Sequence, residues 1–553
     1  MTERIHVGVA WPYANGPLHL GQIAGAYLPA DIFARYNRII GNEVIMVSGS
    51  DQHGAPITIR AEKENTTPEE IAAKYHAEFL DCWDRLGISF DLFTTTGTQN
   101  HADVTRDIFL KLLEKDYLYR DWVLQAYCPN CDRFLPDRYV QGTCPSCGYV
   151  NARGDECESC GKPQDPVDLA NPRCSICGGA PRFEQSEHFF LRLSALQEPL
   201  KDYVTSKTHW RQNVMGATMR FLNEGLKDRA ITRDIKWGVP VPVEGFENKR
   251  VYVWFEAVIG YLSATKEWAH LQGDDSAWEH YWKGGARIYN FIGKDNIFFH
   301  TLSWPGTLMA YGDLDLPYDV PANEFLTISG DKLSTSRNWA IWLTDYLERY
   351  DPDPLRYYLS AVMPEVQDSD FSWEKFVHRN NDELVATYGN LAHRMLTFSK
   401  RHFEGRVPEP GELDDVSLQL LADADGTLAE VSDALSRCSF REALRASMAL
   451  AQKANRYLDE KAPWKVIKES KEEAGRSVYT VLCVLSVLST ALYPFLPFSS
   501  EKLHSSLGFS DSVLSRGWKG VRPEAGQALG DVQHLFVKLD EAVIEEEEAR
   551  LGT

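Results

Sequence analysis

The chain has 553 residues, 44% of them hydrophobic and 25% charged, with a mean hydropathy of −0.34 and a mass of 62.7 kDa. These values exclude both a single small module and disorder over most of its length, and at about 150 residues per domain they predict three or four domains. Lys and Arg number 58 against 79 Asp and Glu, a net charge of −21, so an anionic partner must be met by a local basic surface against a repelling overall field.

The opening MTERIHVGVAWPY lacks the apolar stretch and cleavage site of a signal peptide, which predicts a cytoplasmic protein. Residues 4 to 11 read as a buried strand, Pro12 to Leu18 as a turn-rich loop, and Leu20 to Ile40 as a helix ending at Gly41. A second strand, Glu43 to Ser48, runs into the polar segment Gly-Ser-Asp-Gln-His-Gly at 49 to 54, where a parallel α/β sheet places its ligand loops. Near Tyr127 the composition shifts to Cys, Gly and Pro, and strand patterns resume only at Val251 to Phe255 and Ile288 to Ile292. The sheet is therefore read as split by an insertion. After about residue 375 only helical patterns follow, to about residue 508, predicting a helical bundle. Tyr479 to Phe498 is long and apolar enough for a membrane span, but Ser486, Ser489, Thr490, Pro494 and Pro497 interrupt it, so a buried helix is expected and no membrane partner. The end of the chain, with Asp540, Glu541 and Glu545 to Glu548 against Arg550, reads as a solvated acidic helix face.

Eight of the eleven cysteines form the pairs Cys128/Cys131, Cys144/Cys147, Cys157/Cys160 and Cys174/Cys177, leaving Cys82, Cys438 and Cys483 isolated. In a large chain without an export signal such pairs favour metal over disulfides, and two tetrahedral four-thiolate zinc sites account for all eight. Four thiolates leave no open position, so both ions are expected to be structural. Joining adjacent pairs is the simplest arrangement.

His19-Leu20-Gly21-Gln22 lies where the first loop meets its helix. Backbone N–H groups there can receive phosphate, Gly21 leaves room for a nucleotide, and His19 adds a directed donor. Lys332-Leu333-Ser334-Thr335-Ser336, on a Gly-containing loop, offers an ammonium group and hydroxyls to migrating phosphate charge. The two, in this order on either side of a split nucleotide fold, resemble the HIGH and KMSKS signatures of class I aminoacyl-tRNA synthetases. Within that class Ala10-Trp11-Pro12-Tyr13-Ala14-Asn15-Gly16, Val251-Tyr252-Val253-Trp254-Phe255-Glu256-Ala257 with Gly260-Tyr261, and Phe291-Ile292-Gly293-Lys294-Asp295 with Phe299-His300 resemble the methionyl-tRNA synthetases over nearly the whole chain.

The resemblance implies a methionine pocket formed by Ala10, Trp11, Tyr13, Trp254, Ala257, Tyr261 and His300, with Asp51 receiving the substrate ammonium. Aromatic faces suit a polarizable thioether and a carboxylate suits an ammonium, so the chemistry agrees. His19, Gln22, Lys332, Ser334 and Thr335 are the implied catalytic residues, and His19, Gly21, Gln22, Lys332 and Thr335 the ATP contacts. Gln22, Thr335 and Val258 depart from the family's usual histidine, second lysine and proline; the threonine hydroxyl cannot supply an ammonium's charge. Asn390, Arg394, Pro463 and Trp464 resemble the anticodon-reading residues: Asn390 and Arg394 share a helix face to meet base edges, and Trp464 can stack an unpaired base. Lys375, Arg379, Arg394, Lys400, Arg401 and Arg406 around them outnumber Asp382, Glu383 and Glu404, giving the local basic surface required above. Relatives with a single zinc match only the inner cysteines, which implies nesting: Cys144, Cys147, Cys157 and Cys160 on one ion, Cys128, Cys131, Cys174 and Cys177 on the other.

The fold class expected is α/β, a Rossmann-type parallel-sheet catalytic domain split by a zinc-binding insertion and followed by an α-helical anticodon-binding bundle. Its boundaries are 1–120 and 246–325 for the halves of the catalytic fold, 121–245 for the insertion with zinc knuckles at about 127–180, 326–375 for the KLSTS loop and stem-contact region, 376–530 for the bundle and 531–553 for the acidic tail. The implied reaction activates L-methionine with ATP and Mg2+ to methionyl-adenylate and transfers it to tRNA(Met). A synthetase for leucine, isoleucine or valine, or a non-catalytic zinc-containing RNA-binding protein, are the rival readings; the first carries a large editing domain, and the second has no use for His19, Asp51, Lys332 and the pocket aromatics together. No appended dimerisation domain follows Leu535-Phe536-Val537-Lys538-Leu539-Asp540, so a monomer is expected.

Overall fold

In the computed structural model of the chain, residues 2–154, 157, 159, 160, 164–333 and 338–552 are described, Lys332 by its backbone alone. The strands of the central sheet and of the ribbon that leads into the insertion are β1 (Arg4–Val9), β2 (Glu43–Ser50), β3 (Leu92–Thr95), β4 (Leu118–Cys128), β5 (Arg182–Leu191), β6 (Arg287–Gly293) and β7 (Ala322–Asn323). Five of them lie parallel in the order β7-β6-β1-β2-β3. Alternation along the strands assigns the faces. Met46, Tyr289 and Phe291 join Ile5, Val7 and Val9 in one core, while Ile45, Val47, Ile288 and Ile292 enter the other. Both faces are covered, as a parallel sheet requires. The chain reverses its direction of winding at β1, which opens the crevice for ligands beyond the ends of β1 and β6.

Behind β1 the expected helix forms in three parts: Leu20–Gln22, a π turn at Ile23–Tyr27, and α1 (Leu28–Ile39). On the other face lies α2 (Gln99–Glu114). The insertion starts as the ribbon β4/β5, antiparallel from Leu118↔Leu191 to Tyr127↔Arg182, with the cysteine module at its tip. Helices Gln197–Thr205 and Gln212–Glu224 then return to pack on the second core of the catalytic fold. One correction concerns Val251 to Phe255. Only Arg250 and Val251 are strand, paired with Arg233 and Thr232, and helix Val253–Glu256 follows. A short apolar run does not distinguish a strand from a buried helical turn.

The last strand is Ser369–Phe371, after which helices continue through α4 (Asn390–His402), α5 (Asp415–Ser436), α6 (Phe440–Lys461) and α7 (Lys471–Leu492). Helix α7 passes the length and composition test for a membrane span, yet 89% of its most apolar window is buried in the protein. The acidic end is only partly the solvated face expected. Glu545, Glu546 and Glu548 are exposed, but Glu547 turns inward to Arg349 (2.9 Å) and the Tyr350 hydroxyl (2.8 Å). Asn381 brackets the backbone of Leu539 with two 2.9 Å bonds, and Gly552 N–H donates to Asn338 O at 3.1 Å. The segment therefore returns to the catalytic half.

The bundle is joined to the sheet by a buried ionic hub. Before α4 comes α3 (Pro352–Ala361), whose Arg356 is fully buried and donates to Asp31 of α1 (2.6 Å) and to the carbonyls of Pro494 and Phe495 beyond α7. Arg35 (2.9 Å) and Ser89 (2.8 Å from N, 2.6 Å from Oγ) complete the shell of Asp31. Burial alone would raise the Asp31 pKa, but the two guanidinium groups and the serine outweigh it and hold the carboxyl well below the usual range. A depressed folded-state value contributes stability that is fully present above the unfolded value of about 3.9 and is lost as pH falls below it. Urea unfolding is therefore expected to show a steep loss of stability below about pH 4, and Arg356→Met should flatten that dependence while costing about 3–5 kcal/mol at pH 7, because it removes one of the two guanidinium groups that pair the buried Asp31.

Candidate active site

The loop after β1 is tied to the end of β2 by an isolated parallel bridge between Tyr13 and Asp51, with Asp51 N–H to Pro12 O at 2.8 Å and Ala14 N–H to Asp51 O at 2.9 Å. Ala10 N–H donates to Phe291 O of β6 at 3.0 Å. Four of the predicted pocket residues meet in two pairs. Trp254 Nε1–H donates to the Tyr13 hydroxyl at 2.8 Å, and its ring meets Phe299 edge-on at 5.1 Å. Tyr261 and His300 meet at 2.7 Å between hydroxyl and Nε2. His300 Nδ1 lies 2.9 Å from Asn296 O, a carbonyl that can only accept, so Nδ1 bears the proton and Nε2 accepts from Tyr261. Burial pushes His300 down to about 4, which keeps this ring neutral at pH 7. Ala257 opens the turn that follows Trp254.

Trp11 shows why two glycines stand nearby. A Cβ on Gly260 would lie 2.6 Å from the Trp11 ring, and one on Gly49 would be closer still. The sequence reading named Gly260 within a family motif and Gly49 within the 49–54 run but gave neither a role, since only the indole's position reveals what they make room for.

Asp51 is 3% exposed. Burial and the negative charge of Glu256 push its carboxyl up, while His53 opposes them. Sequence reasoning named the run containing His53 and the motif containing Glu256, but assigned neither a role. His101 was missed outright. Burial disfavours the Glu256 carboxylate, yet His53 and His101 outweigh it and hold it ionised.

The two nucleotide motifs also meet. His19 N–H donates to Gln22 Oε1 at 3.0 Å, so the glutamine caps the first turn through its oxygen. A Cβ on Gly21 would lie 2.7 Å from Leu333 Cδ1, which places the start of the KLSTS motif against the first helix. Leu20 N–H to Ile341 O (3.1 Å) and Leu343 N–H to Leu18 O (2.8 Å) hold the far side of that motif. Lys332 pairs with Thr327 in a two-stranded turn. Ser334 and Thr335 lie outside the described residues. His19 Nδ1 is buried without a hydrogen-bond partner among the described residues, and burial pushes the ring down to about 4. Burial thus favours a neutral donor here.

In the insertion the cysteines gather as Cys128, Cys131, Cys174 and Cys177, and as Cys144, Cys147, Cys157 and Cys160, the nested arrangement. Close sulfur pairs lie 3.5 Å (Cys128/Cys177) to 3.9 Å (Cys144/Cys160) apart, and all sulfurs of a group lie within 4.8 Å of one another. Four sulfurs about 2.3 Å from one zinc would lie about 3.8 Å apart, so the groups fit a tetrahedral ion. Knuckle turns supply the geometry: Asp132, Gly148 and Gly178, each following a second cysteine, have φ of 50°, 76° and 73°. Ser146 N–H points at Cys144 Sγ (3.4 Å), a donor suited to a thiolate.

On the bundle, the Arg394 guanidinium lies 4.6 Å over the Trp464 ring, which projects from helix Pro463–Val466 after Ala462 in the left-handed region (φ 40°). Asn390 is exposed one turn before Arg394. The surrounding basic surface is thinner than the sequence count, since Arg379 pairs with Glu383 and Lys400 approaches Asp531.

Residues 5–396 match the family model of class I tRNA synthetases (M), and residues 407–553 match that of the anticodon binding domain of methionyl tRNA ligase. The methionine–tRNA ligase of Dehalococcoides mccartyi is 58% identical over 552 residues, covering 100% of both chains, and that of Thermomicrobium roseum is 51% identical, covering 100% of this chain and 99% of its own. Among solved structures, Mycobacterium tuberculosis methionyl-tRNA synthetase in complex with methionyl-adenylate superposes with a TM-score of 0.82 at 26% identity, covering 97% of this chain and 100% of its own.

Proposed function

The chain belongs to the methionyl-tRNA synthetase family and ligates methionine to tRNA with ATP, and from that premise we propose how its own residues divide the work. Methionine lies among Ala10, Trp11, Tyr13, Trp254, Ala257, Tyr261 and His300, its ammonium on Asp51. MgATP lies over Gly21, with His19 and Gln22 donating from the first turn and Lys332, Ser334 and Thr335 closing on the phosphates. A methionine carboxylate oxygen attacks the α-phosphorus in line, and pyrophosphate leaves toward Lys332. Because burial disfavours a charged His19, its part is chiefly to orient, and the larger part of the charge developing on the leaving group falls to Lys332. The tRNA's terminal ribose hydroxyl then attacks the acyl carbon and AMP leaves. The observation that carries this reading is the close approach of Leu333 to Gly21, beside a pocket in which Asp51 is bridged to Tyr13. Amino-acid-dependent ATP–pyrophosphate exchange across all twenty amino acids tests it, and exchange with leucine or isoleucine instead of methionine would count against the pocket assignment.

Both cysteine groups are proposed to hold structural zinc, Zn2+ fixing the module without touching substrate. Asn390, Arg394, Pro463 and Trp464 are proposed to read the anticodon of tRNA(Met). The cation over Trp464 supports this, because it helps to fix in place the half-buried indole on which a base would stack. Trp464→Ala removes a stacking surface of about 1–3 kcal/mol per base, so aminoacylation should fall about tenfold or more while pyrophosphate exchange without tRNA survives. Equal loss in both assays would assign Trp464 to the fold instead. The enzyme is further proposed to work in the cytoplasm as a monomer; light scattering should return a mass near 62.7 kDa, and twice that would overturn it.

A further inference from the structure

Behind the amino-acid site lies a cluster of titratable groups larger than adenylation requires. Its hub is Glu256, fully buried between Trp254 and Ala257 in sequence. Oε1 of Glu256 lies 2.5 Å from His53 Nδ1 and 3.2 Å from His101 Nε2. His53 follows Asp51 by two residues, and its backbone N–H donates to Asp51 Oδ1 at 3.1 Å. Its ring is held edge-on by Trp237, whose indole N–H donates to Gln52 O. His101, on α2, is fixed by the Ser263 hydroxyl at 2.8 Å from Nδ1, and its ring centroid lies 6.2 Å from that of Trp11. Three separate segments, the loop after β2, α2 and the pocket helix, thus meet on one carboxylate.

A carboxylate removed from water is costly unless it is paired, so a position that needed only filling would favour an apolar side chain. The pairing here is incomplete as well. Oε2 of Glu256 is buried with no hydrogen-bond partner among the described residues. Asp51 and Glu256 bring two carboxylates to one His53 charge, and an ammonium at Asp51 supplies the cation that balances them. We propose that Glu256 is a positioning residue for methionine recognition, fixing His53 and, through it, the Asp51 carboxylate that meets the substrate ammonium. The proposal rests on the assignment of Asp51 as the ammonium acceptor.

The test compares methionine with desamino-methionine, which keeps the thioether and carboxylate but lacks the amino group. Methionine KM, ATP KM and the inhibition constant of the desamino compound are measured by pyrophosphate exchange for the wild type, Glu256→Gln, Glu256→Asp and Asp51→Asn. Glu256→Gln should raise methionine KM about tenfold or more, the scale of a weakened charge-assisted contact, and leave ATP KM and the desamino constant within about twofold. Glu256→Asp, which keeps the charge, should recover part of the loss. Equal weakening of both ligands, or no change in methionine KM, would overturn the proposal. Unchanged methionine KM in Asp51→Asn would overturn the assignment of Asp51 instead, so the two failures are distinguishable. If Glu256→Gln does not fold, His53→Ala cuts the same link and must show the same selective loss; a loss shared by both ligands overturns the proposal.

Discussion

Lys332→Ala is expected to slow single-turnover adenylate formation about a hundredfold, the usual consequence of deleting one preorganised charge stabiliser worth about 3 kcal/mol, with much less effect on methionine affinity. Two features of the chain concentrate the effect on this residue. The KLSTS motif contains one lysine, with Thr335 at the position where relatives of the usual form carry a second. Burial disfavours a charged His19, so the larger part of the charge falls to the lysine. The backbone that carries Lys332 is also firmly placed. Asp370 accepts from the Thr327 hydroxyl at 2.7 Å and from Gly330 N–H at 2.8 Å, closing the turn that leads into Lys332, and Leu333 packs toward Gly21. Thr335→Ala deletes a neutral hydroxyl and should cost about tenfold or less. A larger rate loss for the threonine variant would mean that the charge clamp has been given to the wrong residue.

What could be read in advance depended on whether a residue's role is local. His19 to Gln22, Lys332 to Ser336 and the four Cys-x-x-Cys pairs carry their chemistry in their spacing, and the strand–loop–helix at the start follows from periodicity alone. Glu256, His101 and Arg356 offered no such signal. Each is a polar residue whose importance comes from partners more than a hundred positions away, His53, Glu256 and Asp31. Gly49 and Gly260 are silent for the same reason, because the indole they accommodate belongs to a different strand end. The acidic tail misled because the count of charges was right while one member, Glu547, is claimed by Arg349 and Tyr350. Composition predicts the solvated majority of a segment and is blind to the one side chain that anchors it.

The nested cysteines lead to an expected result with consequences beyond the metal. Cys128→Ala and Cys174→Ala should each lose one zinc equivalent, and the same one, so that their double variant still retains the other; Cys144→Ala should lose the second. Apparent binding free energies of structural zinc are on the order of 10 kcal/mol, far more than the module's own core can supply. Four of the ten buried residues in that core are the cysteines Cys128, Cys144, Cys157 and Cys174 themselves. The two sites should differ in reach. Ala55 and Ile59, on the helix that follows the Asp51 loop, pack on the module, and Arg133, two residues after Cys131, donates to Glu62 of that helix at 2.9 Å. Loss of the Cys128 site should therefore loosen the support of the Asp51 loop and raise methionine KM several-fold, whereas loss of the Cys144 site, farther along the hairpin, should leave methionine KM nearer the wild type. Metal analysis and methionine KM on the same preparations decide both points. A Cys128/Cys174 double variant that loses both ions, where each single variant loses a different one, would contradict the pairing. A larger methionine effect from Cys144→Ala would show that the module's contact with the Asp51 loop does not run through the outer site.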